Sequence, residues 1–470
     1  MEIHVVERGE TLWRITQLYN ADINQIALVN QLENLNVLVV GQALVIPELD
    51  QEYVVQSGDN LWSIANRLDV TVQELVQANG LTNPNLIYVG ELLELPFFPH
   101  TVQPGEYLWS IAQRYGVTIN QILQANNIES PSLIYPGQTL RIPKGVKPTI
   151  EVNAYTTQMN EQGRQEVLAL GRNFTYLSPF MYSFREDGSL TEMQDAPIIE
   201  AAAANEISPL LVLTNYSGQS FDSDLGAALL RNTDVQDTLI TNILQVMREK
   251  GYTGLNIDFE YLYPEDRENY NAFLRQVVAR LHTEGFSVST ALAPKESADQ
   301  QGLLYEAHDY RAHGEIVDFI ILMTYEWGWA GGEPWAIAPI TKMRDVLDYA
   351  VTDIPPAKIL MGVPLYGRDW RVPWVEGTFA QTVSPVQAVN RAGNYGVEIQ
   401  YNENYQSPFY HYVDEDGQEH EVWFEDARSM QAKYDLVTDY GLRGVSYWVL
   451  GNRFPQNWPV LQNNFTIRKL

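Results

Sequence analysis

Five residue columns recur in one register along the first third of the chain. Gly9, Gly58 and Gly105 are separated by 49 and then 47 residues, and the same two intervals separate Trp13, Trp62 and Trp109. They recur for Asn30, Asn79 and Asn126, for Gly41, Gly90 and Gly137, and for Pro47, Pro96 and Pro143. A period of this size means one small supersecondary unit used three times, which excludes a single core running through the segment. In each unit a short strand such as Tyr53-Val54-Val55 leads through Ser57-Gly58-Asp59 to the amphipathic run Leu61-Trp62-Ser63-Ile64-Ala65. A second helix opens on Thr71 with Glu74, Thr118 with Gln121, or Asp22 with Gln25, pairs spaced to satisfy orphan helix amides reciprocally. Gly90 and Leu92-Leu93-Glu94-Leu95-Pro96 close the second unit. The pattern predicts three βααβ modules at residues 1–48, 52–97 and 99–144, joined by Leu49-Asp50-Gln51 and Phe97-Phe98-Pro99. Trp13, Trp62 and Trp109 are expected to fill the three module cores, leaving recognition to loops and backbone amides.

These columns resemble the LysM module over nearly the whole of each repeat. The resemblance implies binding to N-acetylglucosamine-containing glycan in a shallow groove between the first helix and the loop before the last strand. In the second repeat it points to Gly58, Asp59, Asn60 and Leu61 facing Asn85-Leu86-Ile87-Tyr88. In the third it points to Gly105, Glu106, Tyr107 and Leu108 facing Ser132-Leu133-Ile134-Tyr135. The first repeat departs, because Asn36-Val37-Leu38-Val39 lacks the Ile-Tyr pair. Three weak sites on one chain gain by effective concentration, as retention on a repetitive polymer requires.

Beyond Lys144-Gly145-Val146-Lys147-Pro148 the pattern changes, and 150–470 is read as one further domain. Apolar runs at Glu151–Tyr155, Phe174–Phe184, Leu210–Tyr216, Gly254–Tyr261, Phe286–Pro294, Asp318–Trp327, Ile359–Gly367 and Arg443–Leu450 alternate with helical segments such as Val235–Lys250 and Asn269–Glu284. Several runs are almost continuously apolar, as strands buried on both faces are. Eight alternations predict an α/β chain whose large domain is a (β/α)8 barrel with its site at the C-terminal strand ends. A doubly wound sheet is the alternative, but no Gly-rich phosphate loop follows a first strand.

In the fourth run, alternation puts Asn256, Asp258 and Glu260 on one face. Two carboxylates so close inside a sheet are expensive unless paired or working, and their repulsion and desolvation raise one pKa. A protonated carboxyl beside an ionised one is what acetal cleavage requires, while a buried structural pair is the bland alternative.

This run resembles the Asp-Gly-x-Asp-x-Asp-x-Glu signature of family 18 glycoside hydrolases, with Gly254, Asp258 and Glu260 in register. Ser289–Pro294 looks like that family's fifth strand, and Met323-Thr324-Tyr325-Glu326 its Met-x-Tyr-Asp motif. Gly362–Arg368 is similar to its seventh strand and Gly444–Trp448 to its eighth. The resemblance implies Glu260 as acid and base, Asp258 orienting the substrate's 2-acetamido group, and Tyr325 hydrogen-bonding it. Asn256, Glu326, Tyr366, Arg368 and Trp448 would contact the sugar, Trp448 as its stacking floor. The signature's first Asp is Thr253 and its middle one Asn256, which can donate to Asp258 but cannot take up charge; Glu326 is one methylene longer than the usual Asp.

Repeats and domain together resemble the spore-associated N-acetylglucosaminidases of endospore-forming bacteria. That implies peptidoglycan, spore-cortex fragments in particular, as substrate and a spore or wall location; Met1–Val5 shows no secretory signal pattern. A chitinase with the same residues and a non-catalytic lectin are the rivals. The interval between the seventh and eighth strands has room for a modest excursion around Tyr401–Trp423, which favours a shallow cleft over a long chitin groove. A net charge of −29 argues against nucleic acid, and no stretch is long and apolar enough to span a membrane. The chain is expected to be a monomer. No metal or organic cofactor is expected; His308 and His313 are read as a solvated loop.

Overall fold

The computed structural model describes residues 1–19, 21–47, 52–68, 70–81, 83–103, 105–115, 117–128, 134–143, 147–218 and 220–470. Two compact units result: one holds the repeats with Pro455–Thr466, the other Val39–Gly41, Ile150–Phe454 and Ile467–Leu470. In the first, each repeat closes on itself by pairing its own first and last strands antiparallel. Glu2–Val5 pairs Ala43–Ile46, Glu52–Val54 pairs Leu92–Glu94, and Phe97–Thr101 pairs Thr139–Pro143. Phe97-Phe98-Pro99, expected as a connection, is thus the start of a strand, with Phe97 opposite Pro143. Leu49-Asp50-Gln51 and Lys144-Gly145-Val146 lie outside the described residues.

The asparagine column is what ties helix to sheet. The Asn30 amide donates to the Ile26 and Val45 carbonyls at 2.8 and 2.7 Å and accepts from Val45 N–H at 2.8 Å. Asn79 does the same with Leu75 and Glu94, and Asn126 with Ile122 and Arg141. One side chain therefore satisfies backbone groups on two elements at once. Both glycine columns sit at φ between +84° and +90°, a region where a Cβ is unfavourable. Reciprocal caps form at Thr71/Glu74 and Thr118/Gln121. Asp22 caps from one side only, accepting from Asn24 and Gln25 amides with no return bond from the Gln25 side chain.

The tryptophans are a correction. Trp13, Trp62 and Trp109 are 63%, 68% and 62% exposed and lie outside the cores. Each first helix buries positions i, i+3 and i+4: Leu12, Ile15 and Thr16; Leu61, Ile64 and Ala65; Leu108, Ile111 and Ala112. A residue one step after the first of these is rotated off that stripe. The column repeats, but the helix period turns it to solvent.

In the second unit we number the barrel strands β1 Thr149–Thr156, β2 Tyr176–Pro179, β3 Ser208–Thr214, β4 Gly254–Asp258, β5 Ser287–Leu292, β6 Phe319–Leu322, β7 Ile359–Pro364 and β8 Gly444–Trp448. Neighbours pair parallel in chain order, β8 pairs β1, and β3 pairs β4, so the sheet closes. It is the expected (β/α)8 barrel. Its interior is packed by Tyr155, Tyr176, Leu210, Val212, Ala291, Phe319, Ile321 and Leu360. The expected continuous strand Phe174–Phe184 ends at Pro179 and resumes as Tyr182–Ser183, still paired with β3. Between β7 and β8 lies more than a modest excursion. Five antiparallel strands run in the order Gln381–Val383, Gly367–Val372, Glu419–Trp423, Ser407–Val413, Gln400–Asn402, with helix Pro385–Tyr395 packed on them. Their mixed polar and aromatic sequence hides them from an apolar-run reading, and with them goes the argument for a shallow cleft. Among the described residues no helix is long and apolar enough to cross a membrane.

These two columns make opposite predictions. Asn79→Ala should weaken its module by roughly 1–2 kcal/mol, read as faster amide exchange in Val72–Asn79 with the other modules unchanged. Trp62→Ala, at a largely exposed position outside the core, should leave that exchange at its wild-type rate.

Candidate active site

Strand β4 delivers the chemistry. Its last ladder partners are Thr214 beside Asp258 and Thr290 beside Ile257, so Glu260 stands two residues beyond the sheet rather than on a continuing strand. Asp258 is buried and its Oδ1 has no hydrogen-bond partner. Burial pushes both carboxyls up. At Glu260 the Asp258 and Glu326 carboxylates add repulsion to desolvation.

Asn256 does not serve Asp258. Its amide donates to Ser289 Oγ at 3.0 Å, and its oxygen accepts from the Tyr155 hydroxyl at 2.7 Å. It is a fixed rung between β1, β4 and β5 beneath the carboxyls. Tyr325 follows β6, and burial with the Asp258 and Glu260 charges pushes its hydroxyl well up, so it stays a donor. Its ring lies against Gly362 of β7, where a Cβ would come within 2.7 Å of the ring and 2.5 Å of the Leu322 carbonyl. Glu326, at φ +67°, accepts from the Tyr366 hydroxyl and from Arg368 Nη2 at 2.8 Å. Non-glycine residues are rarely held in that region, and Tyr261, just after Glu260, is there too at φ +53°. Trp448 ends β8 half-buried, with Phe180 edge-on at 4.9 Å and Tyr155 at 5.3 Å. The structure thus brings Asn256, Asp258, Glu260, Tyr325, Glu326, Tyr366, Arg368 and Trp448 to the C-terminal end of one barrel.

Sequence reading missed the supports. Tyr155 and Phe180 hold Trp448, and Ser178-Pro179, which breaks the apolar run just before Phe180, was the available signal. His308 and His313 are fully buried instead of solvated, and burial holds them neutral, pushed down to about 4 and about 3. Their ring nitrogens meet the Phe259 carbonyl, Ala293 N–H and the Thr290 hydroxyl. No cluster able to hold a metal occurs among the described residues.

On the modules, several expected groove residues are turned inward. Leu61 and Leu108 are core residues. Asp59 accepts from the Tyr53 hydroxyl at 2.6 Å and pairs with Arg67 at 3.1 Å, while Glu106 accepts from His100 at 2.9 Å. Gly58 and Gly105 hold the turns before the helices, both at φ +90°. Asn60 caps its helix from an exposed position. Ile87 and Ile134 pack partly against their cores, Tyr88 is half-buried, and Tyr107 and Tyr135 are largely exposed. Ser132 and Leu133 lie outside the described residues.

The model of glycosyl hydrolases family 18 matches residues 152–452, the whole of the barrel that carries this site. The chain belongs to that family. LysM models match residues 4–47, 53–96 and 100–143. The family 18 enzyme is 45% identical over 332 residues to the cortical fragment-lytic enzyme of Bacillus subtilis, covering 70% of this chain and 77% of that one. It superposes on the crystal structure of the Bacillus megaterium spore cortex-lytic enzyme SleL with a TM-score of 0.70 at 40% identity, covering 90% and 99% of the two chains. A chitinase from Chromobacterium violaceum gives a TM-score of 0.62 at 26% identity, over 67% of this chain and 99% of that one. It is a glycoside hydrolase.

The raised Glu260 carboxyl has a consequence for stability. Its folded-state pKa lies above the ordinary 4.5, so the folded chain holds a proton that the unfolded chain has released. Its stabilising contribution is therefore present below that value and lost as pH rises. Glu260→Gln does not titrate, so its thermal midpoint relative to the wild type should climb between about pH 4 and pH 8. A difference constant across that range would contradict the burial.

Proposed function

We propose that this family 18 enzyme hydrolyses the β-1,4 bond after N-acetylglucosamine in peptidoglycan, spore-cortex fragments above all, by a retaining, substrate-assisted mechanism. The observation that carries the reading is the Asp258–Glu260 pair, Asp258 buried and Glu260 half-buried, with Tyr325 beside it, in a chain 45% identical over 332 residues to a cortical fragment-lytic enzyme. Glu260, kept protonated, gives its proton to the glycosidic oxygen. The sugar's 2-acetamido oxygen attacks the anomeric carbon and the leaving sugar departs, forming an oxazolinium ion. Asp258, whose buried Oδ1 has no protein donor, accepts from the acetamido N–H and stabilises the positive charge. Tyr325 donates to the acetamido oxygen. Glu260, now ionised, takes a proton from the water that opens the oxazolinium and restores the anomeric configuration. The modules hold the enzyme on the polymer by several weak contacts at high effective concentration, which suits a spore or wall location.

A second reading, cleavage of chitin oligomers by the same residues, is favoured by the five-stranded insertion beside the site and by the likeness to a chitinase. Incubation with cortex muropeptides and separately with chitin oligomers separates the two, new reducing ends being identified by mass spectrometry. N-acetylglucosamine ends from muropeptides are expected; cleavage of chitin alone moves the enzyme to the second reading.

Glu260→Gln should lower turnover on muropeptides by a factor on the order of 100 or more while retention on insoluble wall stays at the wild-type level. Turnover undiminished in that variant would remove the acid from the mechanism. Cellulose and starch oligomers, which lack the acetamido group, should be inert.

A further inference from the structure

The ladder that shapes β4 stops at Asp258, yet the acid sits at Glu260. Beyond the ladder, side chains from other parts of the barrel take over the N–H and carbonyl of the acid and the carbonyl before it. Asn215, buried just after β3, accepts from Glu260 N–H at 3.0 Å and donates to the Glu260 carbonyl at 2.9 Å. Its second amide hydrogen goes to the Asp222 carbonyl at 3.0 Å. The partners dictate the amide's orientation: an N–H must meet the oxygen, and two carbonyls must meet the nitrogen. His308, in the segment after β5, faces the Phe259 carbonyl through Nε2 at 2.8 Å and accepts from Ala293 N–H through Nδ1 at 2.9 Å. That pairing allows one neutral tautomer, with the hydrogen on Nε2. Ser223 Oγ donates to the Tyr261 carbonyl, closing the turn in which Tyr261 adopts φ +53°.

We propose that Asn215 and His308 are positioning residues for the general acid, clamping the Phe259–Glu260 backbone so that the Glu260 carboxyl meets the glycosidic oxygen at a fixed angle. The proposal rests on the reading of Glu260 as the acid. A generic structural role for either residue would be served by contacts anywhere along the strand. These contacts instead converge on the peptide groups of two consecutive residues, the second of them the acid, and come from two separate segments of the chain. Neither side chain touches the carboxyl itself in any hydrogen bond of the structure, so both act through the backbone.

The clamp's signature is a loss that depends on the leaving group. A sugar leaving group needs the acid's proton as it departs, whereas a phenol that ionises readily does not. Full-length Asn215→Ala and His308→Leu are compared with wild type on a cortex oligosaccharide and on an aryl glycoside of the same N-acetylglucosaminyl donor. On the oligosaccharide kcat should fall on the order of 100-fold, as expected for a misplaced acid, with KM within about twofold. On the aryl glycoside the fall in kcat/KM, which reports the bond-breaking step and not the later step in which Glu260 acts as base, should be less than about tenfold. His308→Gln, whose amide N–H can still meet the Phe259 carbonyl, should recover most of the loss. If Asn215→Ala does not fold, Asn215→Asp keeps the volume and the acceptor for Glu260 N–H but loses the donor. Equal losses on the two substrates, a loss carried in KM, no loss, or a Gln variant no better than Leu would each overturn the clamp. Glu260→Gln run alongside separates the two failures. Full oligosaccharide turnover in that variant ends the acid reading and the clamp with it; its inactivity beside substrate-independent losses at Asn215 and His308 ends the clamp alone.

Discussion

Burial and the neighbouring Asp258 charge together raise the cost of ionising Glu260 where the barrel puts it. In a buried site each ionised carboxylate forfeits most of its hydration, and a second one nearby adds repulsion that little solvent remains to screen. In the proposed mechanism the proton that the pair retains is the reagent, and much of the surrounding architecture bears on it. Asn256 is spent on Ser289 and Tyr155 instead of on Asp258, so Asp258 is left with a bare, buried oxygen. Glu326, whose charge also repels Glu260, is itself neutralised from outside by Arg368 and Tyr366. The substitutions in the signature change which neighbours share the proton without removing the group that holds it.

Placement of that proton is a matter of backbone. A closed parallel barrel satisfies its peptide groups along the strands and leaves them open at the ends, which is why sites form there. Two non-glycine residues at positive φ, Tyr261 and Glu326, directly follow Glu260 and Tyr325. The strand ends are bent at these two places, the first held by the Asn215 and Ser223 side chains and the second by backbone bonds from Tyr325 N–H to Met323 and from Trp327 N–H to Ile337.

What could be read from residues alone follows from which physical signals are local. Apolar runs located all eight barrel strands, since strands buried on both faces are written as such, and the carboxylate spacing pointed to β4 at once. Boundaries were less legible: the fourth run continues to Tyr261 in sequence, but pairing stops at Asp258 because its neighbours have already turned away. His308 looked like a loop residue because its burial comes from Tyr270, Lys295 and the β4 end, none of them near in sequence terms. The five-stranded insertion escaped for the opposite reason, its strands being short and only half apolar. The tryptophan column misled most instructively. Repetition marks a position as constrained, yet the side on which it lies is set by the helix period, and Leu12, Ile15 and Thr16 had already claimed the inward side.

That outward column gives the chain an optical consequence. Of its 11 tryptophans, Trp370 and Trp423 are buried, whereas each module carries a single indole standing in water. Emission from a hydrated indole lies to the red of emission from a buried one, and a soluble quencher reaches it first. The red edge of the intrinsic fluorescence is therefore weighted toward the repeats, with Trp329 the other largely exposed indole. Events on the repeats and events in the barrel core can be followed in the same cuvette without a label.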